Sequence, residues 1–321
     1  MAVVTGFLGA GKTTLLNALL RRPDMAGSAV LVNELGDVGL DHLFIDVLDE
    51  STILLAGGCL CCAVRGDLVE ALRRVRARDP ARVLIETTGV ADPRGVVETL
   101  TGHIAVAREF RLGSILTIVD AQHGAMQLAQ FPEAVRQVGV ADLVVVSKSD
   151  IADPSQVLAR VRTLNPLAQV SIGAHGRLPE DWNLNPIAPE ALFHRIDAAC
   201  QPAHGDAGTE YRAISLAVEG ALDWHAVSFW LDFLVASQGA SILRLKALFN
   251  IAGEPGPVVV HGVHHMLYPR ETLPCWPKDD PRTSRIVLIS RTLDAPILEA
   301  SLRAVQSAGR PAAFLSHGEL N

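Results

Sequence analysis

The sequence of 321 residues lacks the features that mark several common functional classes. Its net charge is −7, so it does not carry the basic excess that a broad nucleic-acid footprint needs. No stretch approaches about 18 consecutive apolar residues, so no transmembrane helix is predicted. The start, MAVVTGFLGAG, has no basic segment and runs directly into a glycine loop, which favours a strand over a signal peptide. We therefore expect a cytoplasmic protein that binds neither nucleic acid nor a membrane. The first strand is short, as a late start codon or a clipped sequence would leave it.

Cysteine is scarce, but three of the five cysteines, Cys59, Cys61 and Cys62, lie within four positions. Three adjacent thiols do not make a disulfide framework, because one is always left over, and this usage suits a reducing compartment. Taken by themselves, the three thiols fit three interpretations: buried small residues, a redox C-x-C pair or a soft-metal site. The surrounding sequence has to decide between these interpretations.

The sequence is rich in apolar residues, 49% against 20% charged, which is enough for a sizeable core. In the first half, continuous β-branched runs alternate with helical stretches, which is typical of a parallel sheet covered by helices on both faces. We predict an α/β domain over 1–185, a linker over 186–210 and a smaller C-terminal α+β domain over 211–321. The arginine-rich segment 73–82 is interpreted as the solvated face of a helix rather than an anion site.

The segment GFLGAGKT fits the phosphate-loop pattern G-x-x-x-x-G-K-[ST] and lies between a predicted strand and a predicted helix. Glycines let backbone N–H groups turn towards phosphate oxygens, and the helix N-terminus adds its dipole. Lys12 is predicted to reach the β- and γ-phosphates, and Thr13 is predicted to offer its hydroxyl to Mg²⁺. The residues expected to bind the nucleotide in this segment are Gly6, Gly9, Ala10, Gly11, Lys12, Thr13 and Thr14. The first domain is therefore predicted to have a P-loop NTPase fold.

A later strand, RVLIETTG, supplies a second part of such a site. It ends in Glu86, which can hold the metal ion through water, so Lys12, Thr13 and Glu86 are the predicted catalytic residues. Gly89, three residues further on, can bring its N–H to the γ-phosphate and respond to hydrolysis. The alternative for Glu86 is a surface cap.

The strand DLVVVSKSD ends close to the guanine-reading N-K-x-D element of GTPases. Asp150 would accept hydrogen bonds from the N1–H and the exocyclic amine of guanine, and the stem of Lys148 would lie along the ring. Ser147 replaces the usual asparagine and cannot duplicate the hydrogen bonds of an amide. A charged strand end without a nucleotide role is the plainer alternative.

The first domain as a whole resembles the CobW-like GTPases, which are relatives of the nickel-insertion GTPases HypB and UreG. The resemblance is carried, in order, by TGFLGAGKTTLLN, NELGDVGLD (33–41), GGCLCC (57–62), ETTGVADP (86–93), VDA (119–121) and SKSD (147–150). More loosely, RLKALFNI and VVVHGVHHML resemble the C-terminal domain of that family. The resemblance implies a GTPase that acts as a metallochaperone.

In this family the C-x-C-C element is the metal site, which implies that Cys59, Cys61 and Cys62 are ligands. Thiolates suit Zn²⁺ and other soft or borderline ions, and two or three sulfurs leave a coordination position open for handover. Glu34 resembles the acid of the first switch of the family and His123 resembles a histidine implicated in metal binding in some members. Each of these two is equally well read as a plain surface residue.

Three more histidines, His261, His264 and His265, look metal-like as a group. Strand alternation would send 261 and 265 to one face and 264 to the other. The family that the chain resembles shares part of this pattern, which implies a contact between domains rather than a ligand role. The chain has no long histidine-rich loop, which argues against metal storage.

The predicted function is hydrolysis of GTP to GDP and phosphate, coupled to delivery of a divalent metal to a client metalloprotein. Zinc is the first choice of metal and cobalt the second, because cysteine-rich sites accept both. A small-molecule kinase would leave the three cysteines without a role. A metal-binding regulator with a vestigial nucleotide site is disfavoured by the intact Lys12, Thr13, Glu86 and Asp150. The sequence leaves homo-oligomerisation open.

Overall fold

The computed structural model describes residues 1–33, 52–55, 65–174, 184, 189–200 and 210–308. Within them, a seven-stranded parallel sheet has the order β3-β2-β4-β1-β5-β6-β7. Its strands are β1 (Ala2–Gly6), β2 (Ser28–Asn33), β3 (Thr52–Leu55), β4 (Arg82–Glu86), β5 (Ser114–Asp120), β6 (Leu143–Ser147) and β7 (Gln169–Ile172). The predicted parallel α/β sheet is confirmed.

Helices cover both faces of this sheet because the side chains of each strand alternate between them. The helices are α1 (Lys12–Leu20), α2 (Arg65–Arg76), α3 (Arg94–Gly102), α4 (Ile104–Glu109), α5 (Gly124–Gln130), α6 (Pro132–Val140) and α7 (Ser155–Leu164). Val4 faces α1, whereas its neighbour Val3 faces the core that α2, α3, α6 and α7 share. Burial on both faces explains why the strands are continuously apolar. On α2, Arg73, Arg74 and Arg76 are exposed, as the solvated-face interpretation expected.

The second half forms an antiparallel sheet with strand order β11-β10-β9-β13-β8, and a short strand, β12, also pairs with β10. Its strands are β8 (Arg212–Val218), β9 (Ile242–Phe249), β10 (Val258–Val263), β11 (Met266–Leu267), β12 (Glu271–Thr272) and β13 (Ser284–Ser290). One face packs on α9 (Trp224–Gln238) and α10 (Ala295–Ala308). The predicted α+β unit is therefore present.

A further helix, α8 (Pro189–Cys200), lies inside the segment predicted as a linker. Its buried residues Leu192, Phe193 and Ile196 pack on the opposite face of the antiparallel sheet, against β9, β10 and β13. This part of the predicted linker is therefore a packed helix and the linker interpretation of 189–200 was wrong. The domain limits themselves remain a prediction.

The two sheets meet where α6 lies against β9. Gly139 of α6 is so close to β9 that a Cβ atom there would lie 2.4 Å from Leu243 Cδ1, and the Leu243 side chain would have to shift. Just after α6, the buried Asp142 accepts hydrogen bonds from Arg244 Nη2 at 2.6 Å and pairs with Lys246 Nζ at 2.9 Å. Burial alone would raise the pKa of Asp142, but the two cations outweigh it and hold that pKa at about 2.

The three clustered histidines do not follow one alternating strand. Strand β10 ends at Val263, and His264 has a φ of +55° in the turn that follows, so the alternation argument does not extend to 264 and 265. His264 Nδ1 lies 3.3 Å from Glu98 on α3, which makes it the contact between the two halves that the sequence favoured. His265 Nδ1 lies 3.0 Å from the Val235 carbonyl oxygen. Burial and the nearby cations lower the pKa of His261 to about 3.

Of the helices in the described ranges, none combines the length and the apolar character that crossing a bilayer requires.

Candidate functional site

The phosphate loop joins β1 to α1 at the carboxyl edge of the parallel sheet. Gly6 lies against β5, where a Cβ atom would come within 2.4 Å of the Ile118 carbonyl oxygen. Gly11, the N-cap of α1, has a φ of +90°, a left-handed conformation that glycine adopts without strain. These two requirements explain why the sequence pattern demands glycine at both ends of the loop. The loop therefore has the strand–loop–helix form that directs backbone N–H groups inward.

Lys12 and Thr13 begin α1 and face the inside of this loop. Lys12 Nζ donates hydrogen bonds to the carbonyl oxygens of Gly6 at 2.9 Å and Phe7 at 3.3 Å. Thr13 Oγ1 donates to Glu86 Oε1 at 3.4 Å, across from the end of β4, and Glu86 is buried. The three predicted catalytic side chains are thus brought together, and the Thr13 hydroxyl and Glu86 carboxylate form the oxygen donor set that Mg²⁺ prefers.

Gly89 is packed directly on the phosphate loop. A Cβ atom at Gly89 would lie 2.8 Å from the backbone nitrogen of Leu8, so only glycine allows this approach. The carbonyl oxygen of Gly89 accepts a hydrogen bond from Gln137 Nε2 at 3.1 Å, and the same amide donates to the Ala91 carbonyl at 3.1 Å. Gln137, which sequence reasoning missed, is buried on α6 and fixes the segment after β4. A glutamine inside an amphipathic helix offers no sequence signal for this role.

The segment from Ser147 to Asp150 is tied down at three consecutive residues. Ser147 Oγ donates to the Ala10 carbonyl of the phosphate loop at 2.7 Å, and Ser149 Oγ donates to the Gly173 carbonyl after β7 at 3.1 Å. Lys148, with a φ of +58°, donates from Nζ to Asp120 Oδ2 at 2.7 Å. Although a serine cannot replace an asparagine amide in full, Ser147 does connect this segment to the phosphate loop. Asp150 is exposed at its end.

Asp120, at the end of β5, lies in the VDA stretch that carries part of the resemblance, but sequence reasoning gave it no role of its own. Its position at the end of a wholly buried strand, at the same edge as Glu86, is a signal that could have identified it. Burial raises its pKa, but hydrogen bonds from Lys148 and from the Gln122 N–H outweigh burial and lower the pKa below the ordinary value.

His123, a predicted metal ligand, lies beside this carboxylate and not near the end of β3, the strand that precedes the cysteines. Its Nδ1 is 3.3 Å from Asp120 Oδ2. The end of β5 is four strand spacings from the end of β3, about 19 Å across the sheet. Within the described part of the chain, no three His, Cys, Asp or Glu side chains gather as a metal site.

The other predicted metal ligands, Glu34, Cys59, Cys61 and Cys62, lie outside the described residues. The strands that precede them are described: Asn33 at the end of β2 pairs with Leu55 at the end of β3. Both strands end at the same edge of the sheet as the phosphate loop, and β4 with Glu86 is the next strand beyond β2. Both segments therefore leave the sheet on the side where the nucleotide residues lie.

Comparison with known proteins agrees with this geometry. Residues 1–171 match the family described as the CobW/HypB/UreG nucleotide-binding domain, and residues 211–306 match the cobalamin synthesis protein cobW C-terminal domain. The zinc chaperone YjiA of Escherichia coli is 29% identical, with 90% of this chain and 93% of that protein covered. The zinc chaperone CobW of Pseudomonas aeruginosa is 30% identical, with 94% and 90% covered. The crystal structure of Zn(II)-bound YjiA GTPase from E. coli shares the fold at a TM-score of 0.69 and 25% identity, covering 95% of this chain and 98% of that one.

Proposed function

The chain belongs to the CobW/HypB/UreG family, and from this membership and the geometry of its phosphate loop we propose that it is a GTP-hydrolysing metallochaperone. The observation that carries the proposal is the convergence of Lys12, Thr13 and Glu86 at one edge of the parallel sheet. The curated relatives described above are named zinc chaperones, and the YjiA structure is that of a Zn(II)-bound GTPase. We place the protein in the cytoplasm, because its cysteine usage suits a reducing compartment.

The reaction is attack of water on the γ-phosphorus of GTP, which gives GDP and inorganic phosphate. Catalysis of phosphoryl transfer is mainly positioning and stabilisation of negative charge. Lys12 Nζ, which donates to two loop carbonyls, is within reach of the phosphates that the loop would enclose, and there it would balance charge on the β- and γ-oxygens. Thr13 and Glu86 are the residues that would hold Mg²⁺, which would supply further positive charge to the phosphates.

The segment around Gly89 supports a response to the nucleotide state. Its backbone packs on Leu8 of the phosphate loop and is held from behind by Gln137. A glycine N–H in this position would bond the γ-phosphate before hydrolysis and lose that bond afterwards. Strands β2 and β3, which precede Glu34 and the three cysteines in sequence, end at this same edge of the sheet, which supports a coupling between phosphate release and metal binding.

The metal is cargo and is bound as a substrate of the chaperone cycle. Cys61 and Cys62, with Cys59, supply thiolates that suit Zn²⁺ first and Co²⁺ second. Glu34 is a further candidate that follows directly on β2, and His123 is a weaker one because it lies beside Asp120. The acceptor of the metal is proposed to be a client metalloprotein.

The experiment that tests the proposal measures phosphate release from GTP and from ATP, each with and without Zn²⁺. We expect release from GTP in preference to ATP and a change of rate with Zn²⁺. A small-molecule kinase would show little hydrolysis until an acceptor is added, and a vestigial site would show none. Titration of Zn²⁺ in the presence of GDP and of a non-hydrolysable GTP analogue then tests the coupling. Thermodynamic linkage requires that GTP and Zn²⁺ change each other's affinity by the same factor. Equal Zn²⁺ affinity in the two states would therefore mean that nucleotide and metal are not coupled, which would contradict a chaperone cycle.

A further inference from the structure

The carboxylate of Asp120 is buried and has a partner at each of its two oxygens. Asp120 pairs with Ser147 across β5 and β6, and its side chain is 2% exposed. Oδ1 accepts the backbone N–H of Gln122 at 2.7 Å and of His123 at 3.4 Å. Oδ2 receives Lys148 Nζ at 2.7 Å and lies 3.3 Å from His123 Nδ1. The carboxylate is therefore fixed in direction before any ligand arrives.

Its main partner, Lys148, is partly exposed and in a costly conformation. The Lys148 side chain is 34% exposed, whereas the Asp120 side chain that it pairs with is 2% exposed. A left-handed φ of +58° at a lysine costs free energy that the surroundings must supply. A free lysine side chain also has many rotamers. A ligand that requires one of them binds more weakly, because the side-chain entropy is lost on binding. The fold therefore holds Lys148 in one conformation that a lysine does not favour by itself.

These contacts hold the segment from Ser147 to Asp150, which is predicted to bind the base and is called the base-reading segment. Ser147 is fixed to Ala10 of the phosphate loop and Ser149 to Gly173, so the backbone on both sides of Lys148 is set. Asp120 fixes the one remaining variable, the direction of the Lys148 stem. We infer that Asp120 is a positioning residue for binding of the nucleotide base, which holds Lys148 so that its stem presents a preformed surface to the face of the base. This inference rests on the proposed GTPase function.

The test compares Asp120→Asn with the parent protein and with a matched control, Asp153→Asn. Asparagine keeps an oxygen acceptor for the Gln122 N–H but loses the charge that holds Lys148. Asp153 lies on the connection after β6, is exposed and accepts hydrogen bonds from Ser155. We expect the KM for GTP to rise about tenfold in Asp120→Asn, about 1.4 kcal/mol. We expect kcat at saturating GTP to stay within about twofold, because Lys12, Thr13 and Glu86 are untouched. Asp153→Asn should match the parent in both values.

A double-mutant cycle decides whether Asp120 acts through Lys148. Lys148→Ala should lose as much GTP affinity as Asp120→Asn, and the double variant should lose no more than either alone. Parental GTP affinity in Lys148→Ala, or additive losses in the double variant, would overturn the inference even if Asp120→Asn failed to fold. A loss of affinity for inorganic triphosphate in Asp120→Asn would overturn it too, because the phosphate site would then be damaged. GTP hydrolysis by the parent is measured first: its absence refutes the proposed function, whereas a parental KM for GTP in Asp120→Asn refutes only this inference.

Discussion

The two sheets use charged side chains in opposite places. In the parallel sheet, Glu86 and Asp120 stand at the carboxyl ends of strands whose interiors contain no charged residue. In the antiparallel sheet, Arg244 and Lys246 stand in the middle of β9, fully buried against Asp142 of the first half. A charge at a strand end can meet a ligand, whereas a charge in a strand interior can only meet another part of the protein. Position in the strand, and not residue type, separates the expected catalytic residues from those that join the two halves.

The largest effect should come from breaking the buried cluster. Asp142→Ala would leave Arg244 and Lys246 buried without their anion, which costs about 3–5 kcal/mol in comparable sites. Urea unfolding followed by circular dichroism measures the loss. Replacing all three residues together by Leu, Met and Met should recover most of it, because no unpaired charge is then buried. Parental stability in Asp142→Ala would mean that the cluster does not join the two halves.

The next largest effect should come from the nucleotide site at the strand ends of the parallel sheet. Lys12→Ala should slow GTP hydrolysis by about 10²–10³-fold, because the phosphate charge loses its stabilising cation. Its unfolding free energy should stay close to that of the parent, the reverse of Asp142→Ala. Lys278→Ala, at an exposed site in the second half, is the matched control and should hydrolyse GTP at the parental rate. Equal rates in Lys12→Ala and the parent would exclude this loop as the catalytic centre.

Sequence reasoning reached the parallel sheet and the phosphate loop because both are local patterns. Gly11 is required by its own left-handed backbone conformation, and Gly6, although its close neighbour on β5 is distant in sequence, belongs to the same short pattern. Continuous apolar strands indicate burial on both faces of the sheet. Glu86 could be placed because it ends such a strand. The same reasoning could have identified Asp120, which has the same position on β5.

The features that sequence reasoning missed depend on residues far apart in the sequence or on a turn that ends a regular pattern. Nothing near Asp142 indicates its pairing with Arg244, 102 residues away in sequence. The turn at His264 ends the alternation of side chains along β10. The prediction that His265 shares a strand face with His261 therefore had no structural basis. Helix α8 did carry a signal, since Leu192, Phe193 and Ile196 are spaced for one helical face, but its proline-rich surroundings were read as a loop.

A smaller effect should appear when the pH is lowered. The pKa of Asp142 is about 2 in the folded protein against an ordinary value of 3.8, so its charge stabilises the fold above about pH 4. That contribution, about 2 kcal/mol, is lost as the pH falls from about 4 towards 2. Asp142→Asn lacks the titration, so its stability deficit relative to the parent should shrink over this range. A deficit that is constant between pH 6 and pH 3 would contradict the assigned pKa.

The smallest effect should come from Asp150, which lies at the end of the base-reading segment and is exposed. We expect the parent to bind GTP at least about tenfold more tightly than ATP, a difference of about 1.4 kcal/mol. Asp150→Ala should remove this preference by weakening GTP alone, because a carboxylate that accepts from the guanine N1–H has no such donor to meet in adenine. Competition of unlabelled GTP and ATP against a fluorescent GDP analogue measures both affinities, with Asp153→Ala as the control. If Asp150→Ala still prefers GTP, guanine is recognised by residues other than those at this strand end. The contrast between strand ends that bind ligand and strand interiors that join the two halves would then hold for the phosphates but not for the base.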